Sequence, residues 1–454
     1  MTTAPAREPR TAPAPGNEAP QAGNVTGSPQ DTMDTVGTLT LPQPVERMGP
    51  LEKVYAFWLA GMSCDGCSIS VLGATAPPVE SLLTGSIPGV PRVILHHPVL
   101  SIDAGEAFVN NYRLAMDGKL DAPYVVILEG SVPDERLSGD GYWSAMGTSA
   151  IADSEHRRPE PVATWLARLA PGAAASIAIG TCATWGGVPA AAGNPTGAMS
   201  LMDFLGKDYR SAFGLPVINI PGCAPVGDNF TETVAAILLF LQGIGPLPEF
   251  DELGRPAWLF RETVHRQCQR AGYYEEGTFA SEYGDKQCLV EVGCWGPVVQ
   301  CNITSRGAIN HMGGCMNVGG PCIGCTMPGF PDKFAPFYKT PPGSAVSSNT
   351  SRVVGSGIKA LRRISQRDRN REPLWDQWHQ VPSGWADVDE PSTADKVMHF
   401  FYERLQFWHS ERPGRSKREE AYAGGYEVIS DRHRPEEKYS GDETPADWIR
   451  KHKP

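Results

Sequence analysis

The sequence predicts an α/β chain: an open parallel sheet, then a small irregular cysteine-rich domain and a polar C-terminal extension. Short continuous apolar runs recur between Val54 and Ile220, separated by stretches long enough for a helix. That is the pattern of strands buried on both faces of a parallel sheet. Beyond about residue 250 the runs fade, and residues 260–335 are dense in Cys, Gly and Pro. From about residue 340 the chain turns polar and charged. A chain of 454 residues exceeds the usual ceiling for one hydrophobic core. Four segments are expected: 1–48, 49–250, 251–335 and 336–454.

Residues 1–48 are rich in Ala, Pro, Thr and Gly and carry hardly any large apolar side chain. Such a segment cannot offset its ordering entropy, so a disordered tail is predicted. Five strands follow: Val54–Leu59, Arg92–Leu95, Tyr124–Leu128, Ala175–Ile179 and Pro216–Ile220. All but the second lead directly into a loop rich in Gly, Ser or Cys. Residues 230–241 read as a covering helix closed by Gly243. Ala394–Arg412 carries Met398, Phe400, Phe401, Leu405 and Trp408 in an amphipathic stretch, which predicts a helix that packs on its own chain, with docking to another subunit as the alternative.

The net charge of -11 and pI near 5.5 exclude a phosphate-binding basic face, and so nucleic acid as a partner. No apolar stretch is long enough to cross a bilayer. The N-terminus has no apolar signal core, and Arg7 and Arg10 are separated rather than twinned. A cytoplasmic protein is expected, where thiols stay reduced. Its odd number of cysteines, eleven, then points to metal or redox chemistry.

Those cysteines fall into three groups: Cys64, Cys67, Cys182 and Cys223; Cys268, Cys288 and Cys294; and Cys301, Cys315, Cys322 and Cys325. His265, three residues before Cys268, completes the second quartet. Four soft donors per group meet the demand of a cubane iron–sulfur cluster, one donor per iron. Cys64, Cys67, Cys182 and Cys223 each lie just past the end of a predicted strand. In an open parallel sheet those ends share one edge, where ligands bind. Gly66, Gly180 and Gly222 beside them allow tight turns and leave N–H groups free for sulfur. The rival is structural zinc, because Cys64-x-x-Cys67 and Cys322-x-x-Cys325 have knuckle spacing. Each pair, however, finds its nearest thiols as isolated cysteines in Gly-rich loops, which favours clusters. A neutral imidazole in place of a thiolate should raise the potential of the second centre. His311 is surplus to this count and is read as structural.

Together with Gly180-Thr181-Cys182-Ala183-Thr184-Trp185-Gly186-Gly187, Asn194-Pro195-Thr196, Pro221-Gly222-Cys223 and Pro321-Cys322-Ile323-Gly324-Cys325, these residues resemble the small subunit of nickel–iron hydrogenases. The resemblance runs from about residue 53 to 332. It implies a flavodoxin-like domain with a proximal cluster on Cys64, Cys67, Cys182 and Cys223. It implies a second domain with a distal cluster on His265, Cys268, Cys288 and Cys294 and a medial one on Cys301, Cys315, Cys322 and Cys325. The nickel–iron site would belong to a separate large subunit, faced by the Trp58 strand end and the Cys64–Cys67 loop.

Three departures from the common family pattern stand out. Cys315 occupies a position where many members have proline, so three 4Fe–4S clusters are expected. Asp65 puts an oxygen donor inside the proximal loop, where it could accept hydrogen bonds beside the cluster or replace Cys64 on an iron. The export signal and membrane anchor of many relatives are missing. These features resemble the actinobacterial-type, high-affinity, oxygen-insensitive branch. The implied role is electron transfer from hydrogen to an acceptor such as a quinone, in the cytoplasm or peripherally on the inner face of the membrane. The alternatives are an iron–sulfur subunit of a respiratory quinone reductase and a zinc-stabilised scaffold.

Overall fold

The five expected strands form one parallel sheet in the computed structural model, which describes residues 49–148, 159–334 and 444–452 apart from positions 192, 207, 252 and 333. These are β1 (Lys53–Ala60), β2 (Arg92–His96), β3 (Tyr124–Glu129), β6 (Ala175–Ile179) and β7 (Val217–Ile220). Their spatial order is β2-β1-β3-β6-β7. A two-stranded antiparallel annex, β4 (Ala145–Thr148) with β5 (Pro159–Pro161), sits between β3 and β6 in sequence. The order of the five parallel strands is the doubly wound, flavodoxin-like one. The expectations for residues 1–48 and Ala394–Arg412 fall outside the described residues.

The apolar runs are continuous because both faces of the sheet are covered. On one face Phe57, Leu59, Val126, Leu128 and Ala178 pack against α3 (Gly105–Met116), α4 (Val162–Leu169) and α6 (Leu201–Leu205). On the other, Ala56, Trp58, Val125, Ile127, Ile177 and Ile218 meet α1 (Gly66–Leu72), α2 (Val79–Thr84) and α7 (Gly227–Leu241). Each large apolar side chain buried this way contributes about 1.5–3 kcal/mol before entropy is counted. The final helix, Pro445–His452, buries Ala446 and Ile449 in the first of these cores. Its Arg450 donates to the Ala167 carbonyl at the end of α4 (2.9 Å). Among the described residues no helix is long and apolar enough to cross a membrane.

Register fixes where the strands stop. Ala60 pairs with Glu129, Glu129 with Ile179, and Ile179 with Ile220, so four strands end on one row. Cys182 and Cys223 each follow that row by three residues, and Cys64 by four. Cys182 lies on the short helix α5 (Gly180–Trp185).

The part from Ala257 onward is built differently. Its elements are one-turn helices: α8 (Ala257–Phe260), α9 (Ala271–Glu275), α10 (Ile303–Arg306) and the 3-10 turns Val264–Gln267 and Leu289–Val292. Its apolar cluster counts Cys294, Cys301 and Cys322 among its buried members. Polar contacts fasten it to the sheet part. Asn229 and Asn302 exchange reciprocal amide hydrogen bonds (2.9 Å each), and Arg306 pairs with Glu232 (2.6 Å). Thr181 Oγ1 donates to the Cys325 carbonyl (2.5 Å), and Trp185 Nε1 to the Thr326 carbonyl (3.1 Å).

Candidate metal centres

All eleven thiols are free of disulfides. At the sheet edge Cys64, Cys67, Cys182 and Cys223 face one another closely enough to sense each other's charge. Burial, then Glu129 and the three other sulfurs, push the Cys67 thiol far up from its ordinary range. Burial and Cys223 push Cys182 up to about 12, against a main-chain hydrogen bond from Val188. Cys64 and Cys223 are exposed, so the quartet lies open at the surface.

The glycines around the quartet are spatial necessities. A Cβ on Gly180, whose φ is +84°, would lie 2.3 Å from Cys67 Sγ. One on Gly187 would lie 2.8 Å from Cys182 Sγ. Only the bare backbone leaves room for the sulfurs and whatever they hold.

Asp65 is exposed, adopts a left-handed conformation (φ 60°) and starts α1 without a side-chain cap. Its N–H donates to Ser63 Oγ (3.1 Å). Trp58 departs from the sequence expectation that its strand end faces a partner. It is 3 % exposed, with its ring against His97 and Phe230. Its indole N–H donates to Glu129 Oε2 (3.1 Å). Trp58 points into the sheet–α7 core because its position in β1 alternates with Phe57 and Leu59 on the other face.

Glu129 is the residue that sequence reasoning passed over. It is 1 % exposed and accepts from Trp58, from the Cys67 N–H (3.0 Å) and from the Ser68 hydroxyl. The same hydroxyl lies 2.8 Å from His97 Nε2. His97 Nδ1 accepts from the N–H groups of Val99 and Leu100 (3.1 and 3.3 Å). The proton of a neutral ring therefore sits on Nε2, directed at Ser68. Burial holds His97 below the usual imidazole range, with Glu129 and Asp65 pulling the other way. The signal was available: a carboxylate ending an otherwise apolar strand at the ligand edge.

In the second part Cys301, Cys315, Cys322 and Cys325 converge. Burial pushes Cys301 up to about 12, opposed first by the N–H of Ile303 and then, beyond Cys315, by Arg255 and the N–H of Asn302. Cys322 and Cys325 are raised further by burial and by neighbouring sulfurs. Arg255 is wholly buried, bound to Asp251 Oδ2 (2.7 Å) and to Gln300 Oε1 (2.6 Å), one residue before Cys301.

The remaining quartet is strung along short turns. His265 lies within the 3-10 turn Val264–Gln267 and Cys268 caps its end, with Cys268 N–H donating to the His265 carbonyl (3.1 Å). The His265 ring packs edge-on to Tyr274 (4.4 Å), which shares a small apolar cluster with Cys288. His265 N–H donates to the Gly296 carbonyl, and Gly296 N–H to Cys294 Sγ (3.4 Å). Burial raises Cys294 to about 11, against that bond and one from Cys322.

The three groups are interleaved. Cys223, in the sheet-edge group, lies close enough to Cys325 for its charge and main chain to bear on that thiol. The Cys322 N–H, in the middle group, donates to Cys294 Sγ of the third (3.2 Å). The first group thus lies within electrostatic reach of the second, and the second touches the third through an N–H···S hydrogen bond. Among the described residues, no three Cys, His, Asp or Glu side chains converge as a single ion would require. Desolvated sulfurs ringed by N–H donors, with space reserved by glycine, suit a larger anionic cluster.

Comparison with known proteins bears on both parts. Residues 260–338 match the model for the C-terminal part of the NiFe/NiFeSe hydrogenase small subunit. Residues 64–237 match that of the NADH ubiquinone oxidoreductase 20 Kd subunit. The chain is 35 % identical over 279 residues to the Hydrogenase-2 small chain of Escherichia coli K12, covering 60 % of this chain and 66 % of that one, just under two thirds of its length. It is 32 % identical over 291 residues to the quinone-reactive Ni/Fe-hydrogenase small chain of Wolinella succinogenes, covering 63 % of this chain and 74 % of that one. A solved actinobacterial-type NiFe-hydrogenase from Ralstonia eutropha H16 superposes with a TM-score of 0.65 at 48 % identity, covering 75 % of this chain and 98 % of the other. With both halves of the site matched in order, the chain belongs to the small-subunit family of nickel–iron hydrogenases.

Proposed function

We propose that this chain relays electrons in a hydrogen-oxidising complex, H2 → 2 H+ + 2 e−, whose nickel–iron site lies in a partner large subunit. The observation that carries the proposal is the adjacency of the three donor groups: Cys223 lies within electrostatic reach of Cys325, and the Cys322 N–H donates to Cys294 Sγ. Bound clusters would supply reversible one-electron steps, three 4Fe–4S centres on this assignment. The chain's own part is to hold donors, exclude water and set charge. Cys64 or Asp65, with Cys67, Cys182 and Cys223, would hold the proximal centre. Cys301, Cys315, Cys322 and Cys325 would hold the medial one, and His265, Cys268, Cys288 and Cys294 the distal one. Main-chain N–H groups on Cys182, Cys301, Cys322, Cys325, Cys294 and Cys268 favour the electron-rich state of each.

The exposed Cys64 and Cys223 and the apolar Ile69 and Leu72 beside them fit coverage by the large subunit. A quinone or quinone-linked acceptor is proposed by likeness to the quinone-reactive relative. The same proposal puts the complex in the cytoplasm or peripherally on the inner face of its membrane. The respiratory quinone-reductase reading rests on the first part alone, whereas the match over 260–338 favours the hydrogenase.

The test is iron analysis and EPR on the complex purified anaerobically with its large subunit. About twelve irons and no three-iron signal are expected, and Cys315→Pro should convert the medial centre to the three-iron form. Zinc in place of iron, or hydrogen-dependent dye reduction by this chain purified alone, would overturn the proposal.

A further inference from the structure

Arg270 stands two residues after Cys268, half-buried, in the part that carries the medial and distal donors. Its guanidinium is held by main-chain carbonyls alone. Nη1 donates to the carbonyls of Asp285 (2.5 Å) and Gln287 (2.9 Å), which immediately precede Cys288. Nε donates to the carbonyl of Met316 (3.2 Å), which follows Cys315. The Arg270 N–H itself donates to Cys268 Sγ (3.4 Å). One residue therefore fastens three donor loops, two from the distal group and one from the medial.

Its charge is not cancelled by an ion pair among the described residues. Among the described residues no carboxylate lies within ion-pair distance of Arg270, and the nearby Asp285 carboxylate is turned to the N–H groups of Ser281 and Glu282. Arg255, the other guanidinium near these groups, is bound to Asp251 at 2.7 Å. The two differ in kind. Arg255 brings to the medial group a charge shared with Asp251, whereas no carboxylate among the described residues shares the Arg270 charge at the distal one. A fixed cation in a partly desolvated site favours whichever neighbouring group can take on negative charge.

We propose that Arg270 is a positioning residue for electron transfer: it ties the distal and medial donor loops together, and its unpaired charge makes the distal centre the easier of the two to reduce. This rests on the ligand assignment above. With three thiolates and a neutral imidazole, the distal donor set already carries less negative charge than the medial set of four thiolates, and Arg270 adds to the same slope. Electrons arriving at the medial site would then run downhill to the distal one.

The experiment is an EPR-monitored redox titration of the anaerobically purified complex, comparing wild type with Arg270→Gln and Arg270→Lys. Arg270→Gln should make the distal centre at least tenfold harder to reduce, about 59 mV for a one-electron couple. The medial centre should shift less and the proximal one not at all. Arg270→Lys keeps the charge without the fork and should restore most of the distal shift. If Arg270→Gln sheds distal iron while Arg270→Lys keeps both iron and potential, the proposal also stands. An unmoved distal potential in iron-replete Arg270→Gln would overturn it, as would Lys and Gln variants that behave alike. A wild-type complex with no distal centre would instead overturn the ligand assignment itself.

Discussion

The two halves of the described chain solve stability in opposite ways. The sheet half, from β1 to α7, places large apolar side chains on both faces of five parallel strands. The cysteine-rich half has one-turn helices and an apolar cluster into which its own candidate ligands are built. The first half needs no metal to account for its core. The second has too little regular structure to hold its loops without one, as in small metallo-domains where binding energy is folding energy. The contrast teaches that one chain can join a self-supporting sheet to a part that leans on its candidate ligands, while candidate donors of both meet near a single sheet edge.

The most severe test of this contrast is removal of iron. In apo protein the amides of residues 260–334 should lose most of their protection against hydrogen exchange, whereas β1, β3, β6 and β7 keep theirs. Equal protection in both halves after iron removal would break the comparison.

A narrower test acts at the edge itself. Gly180→Ala puts a Cβ 2.3 Å from Cys67 Sγ at a backbone with φ +84°. The proximal centre should be lost or distorted, lowering hydrogen-dependent dye reduction by at least about tenfold. Iron in the other two centres should stay. The sheet core should keep its thermal transition, because the clash lies outside both apolar clusters. Unchanged activity would mean that the sulfur can move aside and that the sheet edge is less constrained than the packing implies.

How much of this was legible in the sequence divides along the same line. The five strands were readable because burial on both faces makes their apolar runs continuous, as in Val125–Leu128 and Ile177–Ile179. The convergence of Cys64, Cys67, Cys182 and Cys223 followed from strand ends sharing an edge. The annex β4–β5 was not readable, since Ala145–Thr148 and Pro159–Pro161 are short and carry no alternating pattern. Nor were the residues that act through hydrogen bonds rather than periodicity. Glu129, His97 and Arg270 stand in sequence as isolated polar positions, and only the fold puts them against Cys67, Ser68 and the donor loops. Trp58 was misjudged because exposure at a strand end depends on which face its side chain takes.

The smallest expected effect belongs to the sheet half and comes from His96. Its ring lies among Tyr55, Phe57, Phe108 and Tyr112, and neither ring nitrogen has a hydrogen-bond partner. Burial holds it below the ordinary imidazole value of 6.5, with Asp103 pulling weakly the other way. Above that value the ring is neutral whether folded or unfolded. As pH falls through it, the unfolded chain takes up a proton that the folded one refuses, so stability declines. Going from about pH 7.5 to about pH 5.5 should therefore lower the urea midpoint of the sheet half, and His96→Phe should reduce that loss. An identical pH slope in the variant would show that His96 does not sense acid.

The hydroxyl of Thr181 and the indole of Trp185 reach across to the carbonyls of Cys325 and Thr326, Asn229 and Asn302 trade amide hydrogen bonds, and the Cys322 N–H donates to Cys294 Sγ. A consequence concerns modularity. Although the two halves look separable on paper, a cut near residue 250 would not yield interchangeable cassettes. Each half supplies wiring that finishes the other's sockets, so a hybrid of two relatives would work only where these pins and sockets were exchanged as a set.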